Sequence, residues 1–259
     1  MSSDYIPERA MFIYAHPDDV EFAAGGTAAK WARHGCKNLY VVITDGNVGS
    51  HEEGMTAERL IALRRAEQTA AAAVAGAECV FLGYHDGLLQ PTLELRKELV
   101  RQMRRFRPDV VVTSDPTNYF PNGSRINHPD HRAAATAALD ATFPAVEMRL
   151  LYTEFEAEGL EPHRVSLVYV SNPGQEANLY VDISDSIDAK IAALRQHVSQ
   201  LSDWDIEGRV KEWAAEIGQR VGFAYAERFL RITLQGVAPA EVMPAGEEDA
   251  AAEAAVAAE

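Results

Sequence analysis

Short apolar runs alternate with longer amphipathic stretches along this chain, and that alternation restricts the fold more than any other feature. Residues 11–15 (MFIYA), 38–44 (NLYVVIT), 79–82 and 109–113 (DVVVT) read as buried strands. Between and after them, residues 24–34, 56–75, 93–106 and 129–139 read as helices. Gly35 and Gly76 are placed to stop the first two, and Thr56 to cap the second. Leu95, Leu99, Val100 and Met103 line one face of the third. Strand and helix in strict alternation fold into a parallel sheet with helices on both faces. The fold class expected is therefore α/β, a Rossmann-like, doubly wound, mostly parallel sheet. Extra C-terminal elements follow: strands at 149–155, 165–170 and 179–183, and helices at 184–201 and 206–223. Ser184 or Asp185 is the expected cap of the first of these helices.

A chain of 259 residues with 47% hydrophobic content suits one large domain. That domain is expected over residues 1–236, followed by an acidic Ala-rich tail, 237–259, expected to be disordered. The formal charge is −15, and the tail holds six acids and no base. Such a body binds a nucleic-acid backbone or an anionic membrane poorly, because both need cationic contacts. No apolar run approaches the ~20 residues of a membrane span, and the N-terminus lacks a signal-peptide pattern. With only Cys36 and Cys79, no disulfide framework is expected. These absences point to a cytoplasmic protein.

Two clusters carry chemistry. The first strand runs into Ala15-His16-Pro17-Asp18-Asp19, at the carboxyl edge where open α/β sheets bind ligands. His16 and Asp19 are three apart, so one turn aims both at one point. The bland alternative is that Asp18 or Asp19 caps the next helix and His16 is a surface residue. The second cluster, Asn127-His128-Pro129-Asp130-His131, follows a long polar loop, 114–127, after the fourth strand. Loops this long inside α/β units are usually functional. In the order 3-2-1-4-5, strands 1 and 4 are neighbours and a crevice opens between their carboxyl ends. There His16, Asp19 and His131 supply the three ligands of a catalytic zinc site, with a position left open. This ligand set also suits Fe2+ or another divalent metal.

These motifs resemble those of the zinc-dependent N-acetylglucosaminyl deacetylases of the LmbE-like (PIG-L) superfamily. The resemblance rests on AHPDD at residues 15–19 and HPDH at 128–131. It extends to Gly25-Gly26-Thr27, Thr44-Asp45-Gly46, Arg64 with Glu67, and Asp86-Gly87. It implies that His16, Asp19 and His131 hold the metal and that Asp18 is the general base that activates water. It further implies that His128 assists the tetrahedral intermediate and the leaving amine, and that Arg64 and Asp86 contact substrate. A mycothiol-pathway relative has a tyrosine two residues before HPDH; here Ile126 stands there. Either another group such as Tyr119 holds the oxyanion, or His128 and the metal suffice.

The activity implied is metal-dependent removal of an N-acetyl group from an amino sugar or related small metabolite. An amide resists water; Zn2+ polarises its carbonyl and lowers the pKa of water from 15.7 toward ~7. A nearby carboxylate accepts the proton, and a protonated His128 is expected to help hold the oxyanion. The alternative is a hydratase or lyase of the same superfamily acting on a small organic acid. A non-catalytic metal protein would need neither Asp18 nor His128. The resemblance also implies a homo-oligomer, trimer or hexamer, with residues 165–183 as a candidate interface. His51, Glu52 and Glu53 read as a solvated loop, Trp204 and Trp213 as packing residues. His34, His163 and His197 have no clustered partner.

Overall fold

The computed structural model describes residues 5–234, so the predicted tail lies outside the described residues. Four strands are near-continuous apolar runs: β1 (Arg9–Tyr14), β2 (Lys37–Thr44), β4 (Val110–Ser114) and β5 (Leu167–Ser171). Such runs bury both faces, so these strands take the middle of a parallel sheet. β3 (Ala77–Tyr84) is only half buried and forms one edge. β6 (Leu179–Asp182) and β7 (Ala226–Thr233) complete a seven-stranded sheet in the order β3-β2-β1-β4-β5-β7-β6. β1 to β5 are mutually parallel, and β7 is antiparallel to both β5 and β6. The expected neighbours, β1 and β4, do pair.

Among the described residues, seven α-helices connect and cover the strands: α1 (Asp19–Arg33), α2 (Ala57–Val74), α3 (Leu93–Phe106), α4 (Pro129–Asp140), α5 (Ile187–Leu194), α6 (Val198–Leu201) and α7 (Ile206–Gln219). One apolar core holds Phe12, Trp31, Tyr40, Tyr169 and Phe229; the other holds Met11, Ile13, Leu95, Leu99 and Phe155. They lie on opposite faces of the sheet, since neighbouring residues of β1 alternate between them. Trp204 packs between Phe22 and Trp213.

Several expectations are corrected. α1 begins at Asp19, five residues earlier than expected, because it consists of two helical pieces joined at Ala24 (φ −150°). The break frees the N–H groups of Gly26 and Thr27. The Glu227 carboxylate accepts both, at 2.9 and 2.8 Å, and pairs with Lys190 at 2.5 Å. A carboxylate at the start of a helical segment is favoured by the segment's dipole. Gly26 is needed there, because a Cβ would sit 2.8 Å from Ile183.

Residues 149–155 are not a strand. Beside β4 the sheet position is taken by fully buried β5, whereas Leu150 is 84% exposed and Thr153–Glu156 form a 3-10 turn. The helix expected over 184–201 breaks after Leu194, and its boundary residue is Ser186, whose hydroxyl donates to the Gly26 carbonyl. Of the expected helix and strand signals, Thr56 does cap α2, accepting from Arg59 N at 3.3 Å. β7 had no counterpart in the sequence reading.

Candidate metal centre

β1 ends at Tyr14, and the chain turns through residues 15–18 directly into α1. β4 ends at Ser114, and the loop after it delivers His128 to the start of α4. Because β1 and β4 pair side by side, both motifs meet above one point of the sheet edge.

The two motifs bring His16, Asp19 and His131 side by side. His16 Nδ1 lies 3.4 Å from Asp19 Oδ2, His131 Nε2 lies 3.1 Å from Asp19 Oδ1, and the two ring nitrogens are 3.2 Å apart. A tetrahedral zinc ion with bonds of ~2.0–2.1 Å separates its ligand atoms by about 3.3 Å. Each of the three separations is near that spacing, with the two histidines meeting different oxygens of Asp19.

The other ring nitrogens are also accounted for. His16 Nε2 is 2.9 Å from Asp86 Oδ1 and 3.4 Å from Asp130 Oδ2. His131 Nδ1 is 3.3 Å from Asn127 Oδ1. Metal-bound histidines generally donate their second N–H to such an oxygen, which fixes tautomer and ring orientation. His16 is also close to His128 and His131, and separately to Asp86 and Asp130, with ligand atoms within 4.8 Å in each group. Asp130 is already committed, since it accepts from Gly87 N at 2.7 Å and Leu89 N at 3.2 Å. His128 Nδ1 accepts from Asp130 N at 3.2 Å as the cap of α4. Asp19 is a member of neither group.

Electrostatics follow from this crowding. Burial disfavours charge on His16, but Asp19 and Asp86 outweigh it and hold the imidazole protonated up to about 10. Burial likewise opposes charge on His131, and Asp19 raises it nonetheless. Burial would lift Asp19, yet His131 and His16 hold it well below the usual carboxylate range. Burial pushes Asp18 up; Arg64 opposes that and Asp19 reinforces it.

Asp18 stands at the N-terminal boundary of α1, yet its side chain makes no capping bond. Its Oδ2 lies 3.4 Å from Arg64 Nη2. Asp19 turns back instead, accepting from His16 N at 2.8 Å.

The two residues expected to contact substrate are both buried among polar partners. Arg64 is only 4% exposed, and its guanidinium donates to the Pro17 carbonyl at 2.8 Å and the Gly46 carbonyl at 3.2 Å. It does not pair with Glu67, which accepts from Ser199 instead. Gly46 must be glycine here: φ is +62°, and a Cβ would lie 2.5 Å from Arg64 Nη1. Asp86, 6% exposed, sits behind His16. The surroundings of His128 work against a charged ring. Burial, together with the charges of His16 and His131, lowers its pKa and favours the neutral ring. Because its Nδ1 accepts a hydrogen bond, the neutral ring carries its proton on Nε2.

Tyr119 lies beneath the Arg132 guanidinium, 4.2 Å from ring centre to Cζ. With Phe120, Leu139 and Ile232 it lines a cleft of about 750 Å3. Ile126 is 76% exposed. His51, Glu52 and Glu53 are exposed, as a solvated loop should be. Sequence reasoning missed Asn127, Asp130 and His197. The first two stood inside the second motif, between or beside its histidines; His197 carried no local signal.

The chain is similar in sequence and fold to proteins of known activity. The family model for GlcNAc-PI de-N-acetylase (PIG-L) matches residues 11–142, which contain both motifs. Diacetylchitobiose deacetylase of Thermococcus kodakarensis is 32% identical over 227 residues, 85% of this chain and 81% of the relative. A 1D-myo-inositol 2-acetamido-2-deoxy-alpha-D-glucopyranoside deacetylase of a Mycobacterium species is 30% identical, over 78% of this chain and 77% of the relative. The structure of N,N'-diacetylchitobiose deacetylase from Pyrococcus horikoshii, bound to an inhibitor, superposes with a TM-score of 0.79 at 30% identity. It covers 88% of this chain and 84% of that one. On its motifs, fold and relatives, the chain belongs to the GlcNAc-PI de-N-acetylase (PIG-L) family.

Proposed function

We propose that this protein is a zinc-dependent deacetylase that hydrolyses the N-acetyl group of a small amino sugar of the N-acetylglucosamine type. The observation that carries the reading is the juxtaposition of His16, Asp19 and His131, next to Asp18, whose side chain makes no helix-capping bond and pairs with Arg64. The substrate class follows the names of the similar proteins, which act on diacetylchitobiose and on an inositol-linked acetamido sugar.

When bound, the metal supplies Lewis acidity, polarising the acyl carbonyl and making water a stronger acid. Asp18 takes the proton of the attacking water. Its burial makes it a better base than an exposed aspartate, and a base near the working pH is the most effective. Arg64 orients that carboxylate by its charge and by tying down the Pro17 carbonyl next to it. His128 donates Nε2–H to the carbonyl oxygen as negative charge develops there. The proton held by Asp18 passes to the nitrogen as the C–N bond breaks, leaving acetate and a free amine. Asp86 and Asn127 hold the rings of His16 and His131 in register. The homo-oligomer belongs to the same reading, with edge strand β6 at the margin of the sheet. Among the described residues no helix is long and apolar enough to cross a membrane.

Acetate release from a panel of N-acetylated mono- and disaccharides, run on protein of measured metal content, tests the proposal. Acetate from one or more sugars, lost on chelation and restored by Zn2+, is the expected result. Bound metal with no acetate from any sugar overturns it and returns the hydratase alternative.

A further inference from the structure

A buried polar chain lies beneath Asp18, and the reaction above leaves it unexplained. Asp18 has φ +87°, a left-handed conformation that few residues other than glycine adopt readily. Its N–H is held from outside α1: Gln68 Oε1, on α2, accepts it at 2.8 Å. Gln68 Nε2 in turn donates to Glu21 Oε1 at 2.8 Å. Glu21 Oε2 lies 3.5 Å from His197 Nε2, just before α6. Gln68, Glu21 and His197 have no exposed surface at all. Beyond that 3.5 Å contact, Glu21 Oε2 and both ring nitrogens of His197 have no hydrogen-bond partner among the described residues.

Burying so much polarity is unfavourable unless the groups do something that apolar side chains cannot. Apolar side chains of the same volume would hold α1, α2 and the 195–197 corner together as well or better. What they cannot do is accept the Asp18 N–H. That bond matters because two consecutive aspartates must point to different partners. Asp19 reaches His16 and His131, while Asp18 reaches toward Arg64. The left-handed turn at Asp18 separates the two carboxylates.

We propose that Gln68, Glu21 and His197 are positioning residues that hold the Asp18 backbone in its left-handed conformation, with the helix break before α6 supplying the last member. Ser199 pins that corner to α2, donating from N and Oγ to Glu67 at 2.7 Å each. The inference rests on reading Asp18 as the base.

The test uses the metal-loaded full chain and the variants Gln68→Met, Glu21→Met and Glu21→Gln. Turnover of an N-acetylated sugar is followed alongside hydrogen exchange at the Asp18 amide. In Gln68→Met and Glu21→Met, kcat falls by roughly ten- to a hundredfold, the scale of a misplaced catalytic group. KM and metal content stay unchanged, and Asp18 exchanges faster. Glu21→Gln, which keeps the acceptor for Gln68, retains most of the turnover. Unchanged exchange at Asp18 overturns the proposal, as does a uniform loosening of α1 and α2 or a rise in KM alone. Should Glu21→Met not fold, uncharged Gln68→Met decides the matter. If the unaltered protein releases no acetate, the functional reading fails separately, and Asp18 exchange still decides the positioning.

Discussion

Asp18 and Asp19 are neighbours with opposite electrostatic surroundings. Burial lifts the Asp18 carboxyl, whereas His131 and His16 hold Asp19 well below the usual range. One is thereby suited to take a proton and the other to remain a metal-binding carboxylate. Asp18→Asn should keep one metal per chain yet lower turnover by roughly 10²–10⁴, the usual contribution of a general base; elemental analysis and an acetate assay on one sample check both. Asp86→Ala should weaken metal affinity by roughly 10–100-fold, the usual effect of losing a partner of a ligating histidine. Competition with a chelator of known affinity measures this. His16, Asp19 and His131 were legible in the sequence because motif spacing and strand order suffice to bring them together. The orientation of Asp86 was not, since it depends on which nitrogen of His16 faces Asp19 and His131. His197 was illegible for a simpler reason: its partner Glu21 is far away in the chain.

At the scale of elements, periodicity was a sound guide wherever a strand is buried on both faces or a helix has one apolar stripe. β1, β2, β4 and α3 are such cases. It failed at β7, where Glu227, Arg228 and Arg231 interrupt the apolar pattern. Glu227 is nevertheless 4% exposed, because the break in α1 presents two N–H groups and Lys190 supplies a cation. A tertiary contact thus licenses a charge that local pattern counts against a strand. Glu227→Ala removes one member of a buried pair and leaves Lys190 uncompensated, a change that typically costs about 3–5 kcal/mol. Denaturant unfolding of the metal-loaded protein should show a loss of that size. A loss below about 1 kcal/mol, the range of an exposed pair, would mean that the pair is not buried in solution.

For the whole molecule, metal, protons and stability are linked through the same cluster. The folded pKa of His16, about 10, lies above its ordinary 6.5. The stability this shift contributes is fully present below the unfolded value and is lost as pH rises through about 10. Metal-free protein should therefore show a falling Tm between pH 7 and 10. Metal-loaded protein, whose ligating imidazoles are already neutral, should hold its Tm over that window; calorimetry on both forms compares them. Metal binding should also release protons, so affinity should rise with pH. The most direct measurement for the account as a whole is acetate release titrated against added metal, beginning from chelated protein. The account predicts no turnover without metal, a linear rise that ends at one equivalent per chain, and loss of both binding and turnover in His16→Ala and His131→Ala. Turnover by the metal-free protein, or full metal binding in either variant, would contradict it.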